Sequence, residues 1–321
     1  MLILLISALQ CVCVVDTITY VYMLCHSFHF HRLNFGRFFT VFPFRPISLS
    51  SPHTTPAKTV TYWHRQHTSK SRLPVLFIHG IGIGLYPYVN FLAELNHATE
   101  ANAMDGDVGI IAVEIMPISF RITHAALGKE DICTEIVKIL KKHNWDKFVL
   151  VTHSYGSVIA THLLRSELAS SMIGPMLLID PVTILLHHPD VAYNFTSRKP
   201  KRANEYQLYY FGSKDMGVAH TLSRTFFWSE NILWKHDVSG RRITVILSAK
   251  DLIVDTEAVG RYLTEDEEGV PGKDWREREW KGEGIDVLWF KDLDHAQVFD
   301  RKSDRDLLVN VVRAYSFKAE Q

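Results

Sequence analysis

Short apolar runs alternate with helical patterns along the chain from about residue 59 onward. Between the runs, residues 86–95, residues 129–143 and the stretch after Ser154 repeat apolar positions at helical spacing. The alternation predicts parallel βαβ units, and so an α/β domain with a mostly parallel central sheet flanked by helices. Six runs are rich in the β-branched and aromatic residues that suit strands: 74–79, 109–115, 147–153, 175–180, 243–248 and 285–290.

Two stretches interrupt this alternation. Residues 264–284 are charged and contain glycines, which predicts a solvent-exposed excursion before the last strand. Residues 181–240 form a long insertion, in which we expect at least half of the aromatic rings to build the core of a cap and others to face a pocket. These rings are Tyr193, Phe195, Tyr206, Tyr209, Tyr210, Phe211, Phe226, Phe227, Trp228 and Trp234.

The first 25 residues carry one charge, Asp16, over a length that could cross a bilayer. Arginines and phenylalanines then alternate over residues 26–46, a mixture typical of the membrane interface. Basic residues follow the apolar run and none precede it, so the charge asymmetry predicts a single pass with the body of the chain in the cytosol. Asp16 opposes a span, since a central charge costs about 2.5–3.5 kcal/mol. A cleaved leader, or an apolar segment packed on the body, therefore stays open.

These patterns divide the chain into three parts. Residues 1–47 form a hydrophobic, membrane-associated segment, and residues 48–58 are a linker rich in Ser, Thr and Pro. Residues 59–321 form one α/β domain with a cap insertion at about 181–240.

Composition removes several classes of function. The 321 residues carry a formal net charge of zero, with 47% hydrophobic and 22% charged residues, so no nucleic-acid partner is expected. Of the four cysteines, three lie in the first 25 residues, and no Cys/His set has zinc spacing. We therefore expect no disulfide framework and no metal.

The segment Thr152-His153-Ser154-Tyr155-Gly156 joins a strand to a helix at a serine. A serine hydroxyl is a weak nucleophile unless a base takes its proton and the backbone presents it. A sharp strand-to-helix turn holds such a side chain at the carboxyl end of the sheet, near the positive end of the helix dipole. The turn leaves little space, which agrees with the small residues that follow, Gly156 and Ser157.

From about residue 59 onward the chain resembles the serine-type, lipase- and esterase-like branch of the α/β-hydrolase superfamily. Thr152 to Gly156 matches the nucleophile elbow of that family, with Thr152 in place of the usual first glycine. The resemblance implies Ser154 as the nucleophile. It also implies an oxyanion hole made by two backbone N–H groups, those of Tyr155 and of Ile81 in "HGIG" after the first strand.

The family order of Ser, Asp and His supplies the other two catalytic candidates. Asp251 follows a strand in "VILSAKD", and His295 follows the last strand in "FKDLDH". Asp180, at the end of "MLLID", competes with Asp251 because some members of the family place their acid there. His153 adjoins Ser154, but neighbouring side chains at a sharp turn point apart, so we interpret it as a packing residue.

Together these features predict a serine hydrolase that cleaves hydrophobic, lipid-like acyl esters without a cofactor. Two alternatives stay open. An acyltransferase of the same fold would use the same serine, and the H-x4-D spacing of His295 and Asp300 is associated with that chemistry. A non-catalytic protein on this scaffold usually lacks a triad member, whereas this chain has candidates for all three.

Overall fold

The computed structural model describes residues 2–95, 105–265 and 275–317. They form a nine-stranded sheet in the order β2-β1-β3-β5-β4-β6-β7-β8-β9, with helices on both faces. The strands are β1 (His29–Arg32), β2 (His53–Thr54), β3 (Thr61–Arg65), β4 (Val75–Ile78), β5 (Ile110–Glu114), β6 (Phe148–His153), β7 (Ile173–Ile179), β8 (Ile243–Ser248) and β9 (Ile285–Phe290). The α-helices are α1 (Leu2–Cys25), α2 (Val89–Glu94), α3 (Lys129–Lys142), α4 (Gly156–Arg165), α5 (Pro189–Ala192), α6 (Ala203–Leu208), α7 (Met216–Arg224), α8 (Trp228–Asn231), α9 (Thr256–Thr264) and α10 (Lys302–Ser316).

The six apolar runs of the sequence are strands β4 to β9, and all of these pair in parallel. Strands β4, β5, β6 and β8 are buried along their whole length, as expected for a parallel sheet covered on both faces. Helices α3, α4 and α9 pack on one face, and α1, α2 and α10 pack on the other. The predicted α/β architecture is therefore confirmed.

Strands β1, β2 and β3 were not anticipated from the sequence. Strand β3 pairs antiparallel with β5, and β1 pairs antiparallel with β3. Their sequences, HFHR and TYWHR, are short and rich in His and Arg, so they lack the apolar run that marked the other strands. As a result, residues assigned above to the N-terminal segment and to the linker extend the edge of the sheet.

The N-terminal helix α1 packs against the body of the protein. Its Tyr20 and Met23 are buried in the cluster formed with α2 and α10. Asp16 is 8% exposed and bonds to the guanidinium of Arg121, while Nε of Arg45 lies 3.5 Å from Asp16 Oδ2. Within the described parts of the chain, no helix has both the length and the apolarity needed to cross a membrane. The single pass predicted above is thus unsupported.

The insertion between β7 and β8 is helical and carries α5, α6, α7 and α8. The expectation that at least half of its aromatic rings form a core is wrong. Six of the ten are exposed, between 47% and 63%: Tyr193, Tyr206, Tyr210, Phe211, Phe227 and Trp228. The cap therefore presents apolar rings to its surroundings instead of enclosing them.

The charged excursion predicted over residues 264–284 falls partly on residues 266–274, which lie outside the described residues. Trp275, just beyond them, is 4% exposed and packs directly against Gly260 of α9. Most of the described part of the excursion is exposed, as predicted, including residues 276–279, 281, 283 and 284. Trp275 is a buried exception, because its indole covers helix α9 at a position without a side chain.

Candidate active site

Strand β6 ends at His153 and helix α4 begins at Gly156, so Ser154 occupies the turn between them. Its φ of 50° lies in the left-handed region, which costs a residue with a side chain on the order of 1–3 kcal/mol. The backbone N–H of Ser154 donates to the carbonyl of Ile179 at the end of β7, which helps to hold the turn in place. Thr152, the departure from the family pattern, is fully buried within β6 between Ile78 and Leu178.

Two glycines make room for this turn. A Cβ on Gly156 would lie 2.4 Å from the carbonyl oxygen of Ile78, and a Cβ on Gly80 would lie 2.8 Å from the Cβ of Ser154. Real Cβ atoms do not approach other atoms that closely. Strand β4 and the loop after it can therefore contact the serine turn only because residues 80 and 156 are both glycines. The loop of "HGIG" is thereby brought against Ser154.

Ser154, His295 and Asp251 come from three separate loops and form one hydrogen-bonded chain. His295 Nε2 lies 2.9 Å from Ser154 Oγ, and His295 Nδ1 lies 2.7 Å from Asp251 Oδ2. The Asp251 side chain is fully buried, and its Oδ1 accepts the N–H groups of Ile253 and Val254. The carboxylate is therefore fixed, and it selects the histidine tautomer whose Nε2 can accept the serine proton.

The electrostatics of the site favour charge on the imidazole. Burial alone would lower the pKa of His295, but the charge of Asp251 and its hydrogen bond outweigh burial and raise this pKa to about 9. Asp180 and Asp294 add to the same effect. The site is thus built to stabilise an imidazolium next to the serine.

Asp180, the competing acid, also lies in the site but has other partners. Its Oδ2 accepts the N–H of Ala296 at 2.9 Å and its Oδ1 accepts the N–H of Ser248 at 3.2 Å. Burial raises the pKa of Asp180 to about 6, against the opposing charge of His295. Ala296 has a φ of 68°, so Asp180 clamps the turn that directs His295 toward Ser154.

Of the two amides expected to form the oxyanion hole, that of Tyr155 follows Ser154 directly in the chain, and that of Ile81 follows Gly80, which packs against Ser154. The amides on either side of Ile81 are already paired: the N–H of Gly80 donates to the Tyr88 hydroxyl at 3.3 Å, and the N–H of Gly82 donates to the carbonyl of Ile118 at 3.1 Å. Among the residues that the structure describes, the N–H groups of Ile81 and Tyr155 have no acceptor. Two donors beside the serine thus stay available for an added oxygen.

Three supporting residues, His79, His153 and Tyr88, were missed or only partly understood from the sequence. His79 accepts the N–H of Ile115 through Nε2, so its Nδ1–H donates to the carbonyl of Gly80 and fastens the loop to the end of β5. His153 is buried, burial holds its pKa well below 6.5, and its Nδ1 lies 2.8 Å from the Tyr88 hydroxyl. A histidine before the glycine and a histidine before the serine were visible signals, whereas Tyr88 gave none.

Comparisons with known proteins rest on structure. No protein-family model and no curated protein matches the chain in sequence. The structure is similar to the carboxylesterase CesB from Bacillus subtilis, with 13% identity and a TM-score of 0.52 over 82% of this chain and 89% of that one. It is also similar to a membrane phospholipase A described as a bacterial virulence factor, with 11% identity and a TM-score of 0.55 over 98% and 97% of the two chains.

A third similar structure is 2-hydroxy-6-oxo-6-phenylhexa-2,4-dienoate hydrolase from Rhodococcus, with 11% identity and a TM-score of 0.51 over 81% of this chain and 97% of that one. At such identities the likeness concerns the fold. The parallel sheet, its flanking helices and the serine turn after β6 agree with it. The protein has the α/β-hydrolase fold, the fold of the superfamily that its sequence resembles.

Proposed function

We propose that the protein is a serine hydrolase that cleaves carboxylic esters through an acyl-enzyme, with Ser154, His295 and Asp251 as the catalytic triad. The observation that carries the proposal is the continuous chain from Ser154 Oγ through both ring nitrogens of His295 to Asp251, with distances of 2.9 and 2.7 Å. A largely buried imidazole, paired with a carboxylate and in contact with a strained serine, is the arrangement that activates an alcohol.

The mechanism follows from this geometry. His295 Nε2 takes the Ser154 proton as Oγ attacks the ester carbonyl, and Asp251 stabilises the resulting imidazolium. The N–H groups of Ile81 and Tyr155 hold the oxyanion, a contribution typically worth about 3–4 kcal/mol per donor. His295 then protonates the leaving alcohol. Water attacks the acyl-enzyme by the reverse route, with His295 again as the base.

The substrate class we favour is a hydrophobic or lipid acyl ester. Phe226 of the cap packs on Tyr155, with ring centroids 6.2 Å apart, so the cap reaches the residue beside the nucleophile. The cap also exposes six aromatic rings, and exposed apolar side chains of this kind favour contact with lipid or other apolar partners. Asn204 of α6 also donates to Asp294, the residue before His295, which links the cap to the catalytic loop.

Membrane association without a span is part of this proposal. The outer face of α1 exposes Val14, Ile18, Val21 and Leu24 between 45% and 57%, while its inner face packs on the body. The loop after β1 exposes Phe35 and Phe39 close to Arg37 in sequence, the combination that suits an interface with anionic lipid. Binding would then lie along the surface of the bilayer.

The test is activity and labelling of the full chain. Ser154→Ala should abolish both the release of nitrophenol from short and medium acyl esters and labelling by a fluorophosphonate. Ser303→Ala, which changes an exposed serine, serves as the matched control and should retain both. Labelling of the Ser154 variant at the wild-type level would reject the proposal. Product analysis with and without a lysolipid acceptor separates hydrolysis from acyl transfer.

A further inference from the structure

A group of histidines gathers at the edge of the sheet, away from the serine. His29 and His31 lie on β1, His53 lies on β2, His64 lies on β3, and His143 ends α3. The strand register places His29 opposite His64, and His31 opposite both His53 and Tyr62. Because alternate residues of a strand share a face, His31, Tyr62 and His64 lie on one face, and Tyr62 packs there with residues of α3.

Three of these rings converge. His31, His64 and His143 each offer a ring nitrogen, and the three nitrogens lie within 4.8 Å of one another. The rings of His64 and His143 stack with centroids 3.7 Å apart. We propose that His31, His64 and His143 form a binding site for a divalent transition metal of the zinc class, independent of the proposed esterase function.

The chemistry of the group fits such an ion. Imidazole nitrogens suit Zn²⁺, Cu²⁺ and Ni²⁺, and three of them leave a fourth position for water. Zinc–nitrogen bonds are about 2.0–2.1 Å long, so the rings need to close by roughly 1 Å around the ion. His31 is 4% exposed, whereas His64 and His143 are only partly buried, so the site has a path of entry.

Protonation agrees with this geometry. Burial lowers the pKa of His31 and of His64 to about 3 and that of His143 to about 4, and Lys142 or neighbouring histidines lower them further. The rings are therefore neutral at physiological pH and keep the lone pairs that a metal needs.

Tyr62 holds two of the three rings. Its hydroxyl lies 2.9 Å from His31 Nδ1 and 2.9 Å from His143 Nε2, so it donates to one ring and accepts from the other. Burial raises the pKa of Tyr62, which keeps the hydroxyl protonated. Tyr62 thus serves as a neutral positioning residue, comparable to the outer partners that orient ligands at metal sites.

Lys142 is the group that opposes a cation here. Its Nζ lies 3.4 Å from His31 Nδ1 and donates to the carbonyl of Thr54. The residue is exposed, so the ammonium can turn into solvent when an ion enters. Its positive charge nevertheless weakens the binding of a dication. Removal of this charge should therefore tighten metal binding, a result that is not expected if the histidines have a purely structural role.

The site lies at the opposite end of the sheet from Ser154. His64 pairs with Ile111 near the start of β5, and His143 precedes β6, whereas Ser154 follows the end of β6. A bound ion would join β1 to β3 and to the end of α3, and so would fasten the N-terminal segment to the body.

The experiment is calorimetric titration of the full chain, freed of metal by a chelator, with Zn²⁺ alone, alongside the absorption spectrum with Co²⁺. We expect one Zn²⁺ per chain and a tetrahedral Co²⁺ spectrum. His64→Ala and His143→Gln should each weaken binding at least about tenfold, whereas His220→Ala, at an exposed position of α7, should not. Lys142→Met should tighten binding several-fold.

Circular dichroism of each metal-free variant shows that it is folded, and His143→Gln provides a milder change should His64→Ala disturb β3. Absence of saturable binding, unchanged affinity in both folded histidine variants, or weaker binding in Lys142→Met would each overturn the proposal.

Discussion

Replacing Asp251 by Asn tests which carboxylate serves His295. In the structure Asp251 Oδ1 accepts two backbone N–H groups, and Oδ2 lies 2.7 Å from His295 Nδ1. An amide at this position keeps its oxygen on Ile253 and Val254 and turns its NH₂ toward His295. The ring must then accept at Nδ1 and carry its proton at Nε2, where it can no longer take a proton from Ser154.

The expected loss of activity is large, because His295 is held in the tautomer that cannot act as a base and the imidazolium loses the negative charge beside it. A loss of about 10³–10⁴-fold in kcat is typical of this change in a serine triad. It corresponds to about 4–5.5 kcal/mol of transition-state stabilisation. The assay is steady-state hydrolysis of a soluble acyl ester, with thermal melting to show that the variant is folded.

Asp180→Asn is the matched control, since Asp180 is the other buried carboxylate in the site. An amide there keeps one of the two contacts, to Ser248 or to Ala296, and loses the other. The His295 turn is then less well held, and a loss of about 100-fold or less is expected from misplacement. A larger loss in Asp180→Asn than in Asp251→Asn would refute the assignment of Asp251 as the acid.

Two further predictions concern pH and the N-terminal helix. The charge of Asp251 outweighs burial and raises the pKa of His295, and only neutral His295 can accept a proton. We therefore expect kcat/KM to rise with pH, with a midpoint above pH 6.5. A midpoint below pH 6 in the pH–rate profile would contradict this account of the electrostatics. The same raised pKa stabilises the fold below pH 6.5, and this contribution is lost as pH rises toward 9. Arg121→Met leaves the buried Asp16 with only Arg45 near it, and should lower the free energy of unfolding by about 3 kcal/mol or more, measured by chemical denaturation. A change below about 1 kcal/mol would show that Asp16 reaches water.

Much of the sheet was predictable from the sequence for one reason. Strands β4, β5, β6 and β8 are buried on both faces, so each must be a continuous apolar run, and such runs are visible without a structure. Strands β7 and β9 are less completely buried but are also rich in apolar residues. Strands β1 and β3 were missed because they are short and rich in polar residues. They pair with each other near the edge of the sheet, and this pairing is visible only from the strand register in the structure.

The cap illustrates the opposite limit. Its aromatic content was evident, but whether a ring lies inside or outside depends on how short helices pack, and nothing in the spacing decides that. Six of the ten rings proved to be exposed. The roles proposed for Ser154, Asp251, His295, Ile81 and Tyr155 stay predictions, although the three side chains lie in one hydrogen-bonded chain.

By itself the sequence determined the parallel core and the serine turn, because both depend on local patterns: apolar runs, helical periodicity and small residues at a corner. Only the tertiary structure decided which acid contacts His295, how Asp16 is neutralised, and that His31, His64 and His143 meet. These features join residues that lie far apart in the chain, such as Asp16 and Arg121, which are separated by 105 positions. Such distances are closed by strand register and helix packing, which no short stretch of sequence contains.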